Sequence, residues 1–67
     1  MKDSEILKEL YGNKKWDALD SYIDQIIQSK NIKRYETLLE TFQKQRNDKI
    51  FKYLLDDIET KLYDLKH

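Results

Sequence analysis

Cysteine and proline are absent from these 67 residues, glycine occurs once, and the single histidine is the last residue. Without cysteine the chain can form neither a disulfide nor a thiolate metal site. With one glycine it cannot build the glycine-rich loop that cradles a phosphate. No apolar run approaches the roughly 18–20 residues that cross a bilayer, so no membrane partner is expected. The opening stretch "MKDSEILKEL" also lacks the apolar segment of a signal peptide, which together with the missing cysteines predicts a reducing, cytoplasmic setting. His67 is expected to be a solvated chain end rather than a base or a ligand.

Charge is abundant but of no single sign: thirteen basic and thirteen acidic side chains cancel. The apolar residues match the charged ones in number and are regularly spaced, which predicts a folded chain rather than a disordered one. Sixty-seven residues make one domain, spanning 1–67. A core of that size rarely supplies more than about 3–5 kcal/mol, and self-association is a common remedy.

With so little proline and glycine, the helix boundaries must be read from caps and phase. A first helix starts at Asp3 or Ser4, presents Ile6, Leu7, Leu10 and Tyr11, and is expected to stop at Gly12 in a left-handed conformation. Asn13 is expected to cap a second helix, whose stripe is Trp16, Leu19, Ile23, Ile26 and Ile27 with Tyr22 beside it. A third helix carries Ile32, Tyr35, Leu38, Leu39 and Phe42, and a fourth carries Phe51, Leu54, Leu55, Ile58, Leu62 and Leu65. At 100° per residue, running the second helix into the third would swing the apolar face by roughly 140°. A turn near Ser29–Asn31 removes that conflict. The same swing separates the third and fourth stripes, so the polar run "QKQRNDK" (43–49) is expected to hold a turn at Asn47–Asp48 rather than to continue as a rod. Asn47 suits a left-handed helix end and Asp48 an N-cap. Short connections between amphipathic helices then predict an all-α fold. It is a small antiparallel up-down bundle of three to four helices, the first of them short and weakest.

The chemistry-bearing residues point away from catalysis. Nucleophilic mechanisms need a Ser, Cys or Lys beside a base, and Ser4, Ser21 and Ser29 have none nearby in sequence. Asp17, Asp20 and Asp24 line one flank of the second helix, and Asp56, Asp57 and Glu59 cluster on the fourth. A di-metal bundle site would need inward-facing glutamates and Glu-x-x-His pairs, so these carboxylates read as solvated flanks. The expectation is a non-enzymatic chain with no catalytic residue, no metal and no cofactor.

Binding is the remaining class. On the fourth helix, Tyr53 and Tyr63 lie more than about 120° from the apolar stripe, on an outer face of Lys49, Tyr53, Asp56, Thr60 and Tyr63. Tyrosine joins a large contact area to a polar tip and is enriched at interfaces, so this face is the candidate protein-binding site. Basic residues gather at the turns, and an up-down bundle would bring Lys14, Lys15, Lys44, Arg46 and Lys49 to one pole. That pole is the alternative nucleic-acid-binding site, although a net charge of zero is unlike a typical phosphate binder. The stretch "GNKKWDALDSYIDQII" resembles the start of a tetratricopeptide repeat at Trp16 and Leu19. Asp20 stands where that pattern wants a small residue, Ile23 replaces its tyrosine, and no second copy follows, so no function is carried over. The sequence therefore predicts a small protein-binding module, regulator or inhibitor, with a homo-oligomer among its expected forms. The alternatives are a nucleic-acid-binding regulator and a structural assembly subunit.

Overall fold

Four α-helices, joined by short turns, account for nearly all of residues 2–45 and 47–67, which the computed structural model describes. They are α1 (Asp3–Gly12), α2 (Trp16–Ser29), α3 (Ile32–Thr41) and α4 (Lys49–Lys66), with a 3-10 turn at Gln43–Gln45. None is long and apolar enough to cross a membrane. The radius of gyration is 11.2 Å and the longest extent 36 Å. A compact chain of this length should measure about 11 Å, and a helix through residues 32–66 would be a rod about 50 Å long. The chain turns back within the polar run.

The helices alternate in direction. Tyr11 at the end of α1, Phe42 just beyond α3 and Phe51 near the start of α4 pack their rings together at one end. At the other end Asp3 of α1 meets Arg34 of α3, and Lys66 of α4 reaches Glu36 of α3. Helix α3 is central, packed against α1, α2 and α4, while α2 and α4 flank it with little direct approach to each other. The core is the set of stripes read from the sequence: Leu7; Leu19, Ile23 and Ile26; Tyr35, Leu38 and Phe42; Phe51, Leu55, Ile58 and Leu62. Tyr35 is buried with its hydroxyl satisfied by the Ile27 carbonyl oxygen. Two stripe members depart from expectation, since Trp16 and Ile32 are exposed. Each is the first residue of its helix, where packing neighbours exist on one side only.

The connection from α1 to α2 is not the one expected. Gly12 stays helical, and the left-handed residue is Lys14, at φ 56°. The Lys15 amide donates to Leu10 O (3.0 Å) and the Lys14 amide to Tyr11 O (3.1 Å), the paired bonds of a Schellman ending. Stopping at Gly12 would have released Tyr11 from the helix that aims its ring at Phe42 and Phe51. Asn13 therefore ends α1 instead of capping α2, whose N-cap position is Lys15. Nor does Asp3 or Ser4 cap α1: the N-cap position is Lys2, with no side-chain bond, and the Asp3 carboxylate turns to other helices.

The second turn falls where the phase break placed it. Lys30 is left-handed (φ 53°), and the Asn31 side chain accepts from the Arg34 amide at 3.3 Å to cap α3. At the third, α3 stops at Thr41, earlier than expected, and the chain turns through Phe42 and the 3-10 segment. Asp48 does cap α4, its Oδ1 accepting from the Ile50 amide at 3.0 Å.

Candidate protein-binding surface at the open end of the bundle

Trp16 opens α2 directly after the Schellman turn, and its ring lies edge-on to Tyr11 with centroids 5.7 Å apart. Tyr11 in turn meets Phe51 at 5.4 Å and Phe42 at 5.8 Å, both edge-on. An aromatic chain thus runs from the core to the surface. Across from Trp16, Asp48 caps α4 and holds Ile50 in its first turn. Ile50 is 77% exposed and Trp16 52% exposed, on opposite sides of this end of the bundle. Because α2 and α4 flank α3 without closing on each other, a cleft of about 420 Å³ lies between their N-terminal halves. Trp16, Leu19 and Ile23 form its α2 wall, Ile50, Phe51 and Leu54 its α4 wall, and Tyr11 joins them. Its polar lining is acidic: Asp17, Asp20 and Asp48.

The expected binding face of α4 is fully on the surface. Lys49, Tyr53, Asp56, Thr60 and Tyr63 are all exposed, Tyr53 at 76% and Tyr63 at 62%. The two tyrosines stand in different settings. Tyr53 lies one turn from Ile50 on an adjoining face of α4, so it extends the exposed apolar surface that begins at Ile50. Tyr63 is near the far end, its ring 4.3 Å from the His67 imidazole. His67, expected to be a free chain end, is exposed but packs on that ring. Asp56, Thr60 and Tyr63 share a shallow depression with Glu59, and the Thr60 hydroxyl is committed to the Asp56 carbonyl oxygen at 3.0 Å.

The basic residues do reach one end of the bundle, but they do not form one patch. Lys14, Lys15, Lys44 and Lys49 are exposed there, while Arg46 lies outside the described residues. Lys44 faces a separate depression between α1 and α3, beside Lys2 and Lys8 but also Asp3 and Glu40. The aspartates of the cleft occupy the same end. Arg34, at the other end of the bundle, is committed within the chain. Its Nε donates to Asp3 Oδ2 at 2.9 Å and its Nη2 to Asp3 Oδ1 at 3.2 Å. The Tyr22 hydroxyl also donates to Asp3 Oδ1. These bonds, the Arg34 guanidinium first, hold the Asp3 carboxyl below its ordinary value, and partial burial pushes the Tyr22 phenol up. Among the described residues no group of three or more His, Cys, Asp or Glu side chains is placed to hold a metal ion.

Two members of this surface escape the sequence pattern: Trp16 belongs to a stripe expected to be buried, and Ile50 to neither face of α4. The available signal was that Ile50 sits about 90° from the centre of its helix's stripe, an apolar residue left over at the edge. The chain matches no family model, no curated protein and no solved structure.

Proposed function

We propose that this chain is a non-enzymatic protein-interaction domain of the cytoplasm. It docks a partner through the open end of the bundle, with the outer face of α4 (Lys49, Tyr53, Asp56, Thr60, Tyr63) as the flank of the contact. The observation that carries this reading is the joint exposure of Trp16 and Ile50 on the two walls of the α2–α4 cleft, with the exposed Tyr53 one turn beyond Ile50. Single exposed apolar side chains need no explanation, whereas a rimmed group of large ones beside a depression is the usual mark of an interaction site. Tryptophan and tyrosine are also the residues in which binding energy tends to concentrate. A domain this small acts by occupying a partner's surface, as a regulator, an inhibitor or a subunit of an assembly.

The test is recovery of partners from the native host with the intact chain and with two variants, Trp16→Ala/Ile50→Asp and Tyr53→Ala/Tyr63→Ala. Both variants should keep full helicity, and the first should lose the recovered protein while the second weakens it. If the bound material is instead nucleic acid, released steeply by salt and lost on Lys14→Glu with Lys44→Glu, the basic pole is the site and this reading fails.

A further inference from the structure

The cleft has a shape, a chemistry and a charge, and together these specify an occupant. Its walls are the sides of two helices, α2 and α4, that flank the central α3. A groove between helices lined by Trp16, Leu19, Ile50 and Leu54 suits the apolar face of a third helix, which would insert side chains spaced i, i+3 or i+4, and i+7. An extended strand is a poorer fit, because the groove offers no sheet edge to pair with its backbone.

The rim sets the charge of that helix. Asp17 and Asp20 on α2 and Asp48 at the start of α4 are the charged residues that line the cleft, and all three are exposed. Asp48 is engaged by the Ile50 amide, but among the described residues neither Asp17 nor Asp20 has an ion-pair partner within the chain. Lysines or arginines flanking an apolar stripe would meet these carboxylates as the helix seats. A second copy of the chain docked about a two-fold axis would instead set three aspartates against three aspartates, which opposes association. We infer that the α2–α4 cleft receives an amphipathic helix of a partner protein whose apolar stripe is bordered by basic residues. This inference rests on the reading of the chain as a protein-interaction domain and adds the chemistry of what is bound.

Trp16 is the only tryptophan and stands on the cleft wall, so its fluorescence reports occupancy directly. The probe is a tryptophan-free helical peptide with leucines at i, i+3 and i+7 bordered by lysines, compared with an isomer bordered by glutamates. The lysine peptide should shift Trp16 emission to the blue, saturably, and bind at least about tenfold more tightly than the glutamate isomer. Asp17→Asn with Asp20→Asn should weaken it about fivefold, and raised salt should do the same. Ile50→Asp should remove binding while leaving the circular dichroism unchanged, since Ile50 is exposed in the free protein. Equal affinity for the two peptides, or an affinity indifferent to the aspartates, overturns the inference. So does a concentration-dependent Trp16 shift without peptide, accompanied by dimers in sedimentation, because the occupant is then a second copy. If neither peptide binds while a cross-linker at position 50 still joins the chain to a host protein, the proposed occupant is wrong and the interaction reading stands. If that cross-linker also captures nothing, both fall.

Discussion

The two ends of this bundle are built from different materials. Where α1 and α3 begin and α2 and α4 finish, polar groups tie separate helices together: Arg34 of α3 clamps Asp3 of α1 with two bonds, and Tyr22 of α2 adds a third. Tyr35 is fixed to the Ile27 carbonyl, and Lys66 lies 3.6 Å from Glu36. At the opposite end the contacts are aromatic and aliphatic, and the apolar surface continues outward through Trp16 to an uncovered Ile50. Directional polar bonds satisfy groups within the chain and leave little to offer a partner. Apolar contacts have no such closure, so an end made of them can keep accepting surface. On this comparison, the clamped end holds the fold together and the open end is available for recognition.

The largest expected effect is on what both ends share. Leu55 is fully buried on α4, and Leu55→Ala should cost about 3–5 kcal/mol, close to the whole margin of a small domain. Its helicity should be largely lost at 37 °C by circular dichroism. Ile50→Asp, five residues earlier on the same helix, should leave the melting temperature nearly unchanged.

Breaking the clamp comes next. Asp3→Ala removes hydrogen bonds from a charged, partly exposed group and should cost about 1–3 kcal/mol by urea denaturation. The same carboxylate makes stability depend on acid. Its folded pKa lies below the ordinary value of 3.8, so its contribution is complete above that pH and is lost as pH falls through the folded value. The wild type should lose stability below about pH 4 more steeply than Asp3→Ala. Equal slopes would mean that the clamp contributes nothing.

A smaller effect tests the turn that delivers Trp16. Gly12 is helical, and a Cβ added there meets nothing within 4 Å, so Gly12→Ala should stabilise by about 0.5–1 kcal/mol. Lys14, held at φ 56°, should gain about 1 kcal/mol as glycine. Had Gly12 been the left-handed residue, Gly12→Ala would destabilise instead. Smallest of all is the stability change in Tyr53→Ala with Tyr63→Ala, within about 0.5 kcal/mol for exposed positions.

These residues also show what sequence could convey. Three buried stripes and the positions of the second and third turns followed from phase, because one helix cannot aim its apolar face in two directions. Asn31 and Asp48 cap the helices they precede, as their side chains suggest. The first turn departs from local preference, by which glycine and asparagine are good helix enders. The tertiary demand that Tyr11 reach Phe42 and Phe51 moved the left-handed position to a lysine instead. The Asp3–Arg34 pair, 31 residues apart, leaves no periodic trace. The cleft was equally hidden. Periodicity shows which side of a helix is apolar, but not that a cleft between α2 and α4 leaves Trp16, at the head of its stripe, and Ile50, beside its own, uncovered.

The contrast between the ends can be measured by placing one photo-reactive residue at position 50 in the open end and, separately, one at position 36 near the clamped end, then irradiating in the native host. A discrete protein adduct is expected from position 50 and none from position 36. Adducts of equal yield from both positions, or from position 36 alone, would contradict that contrast.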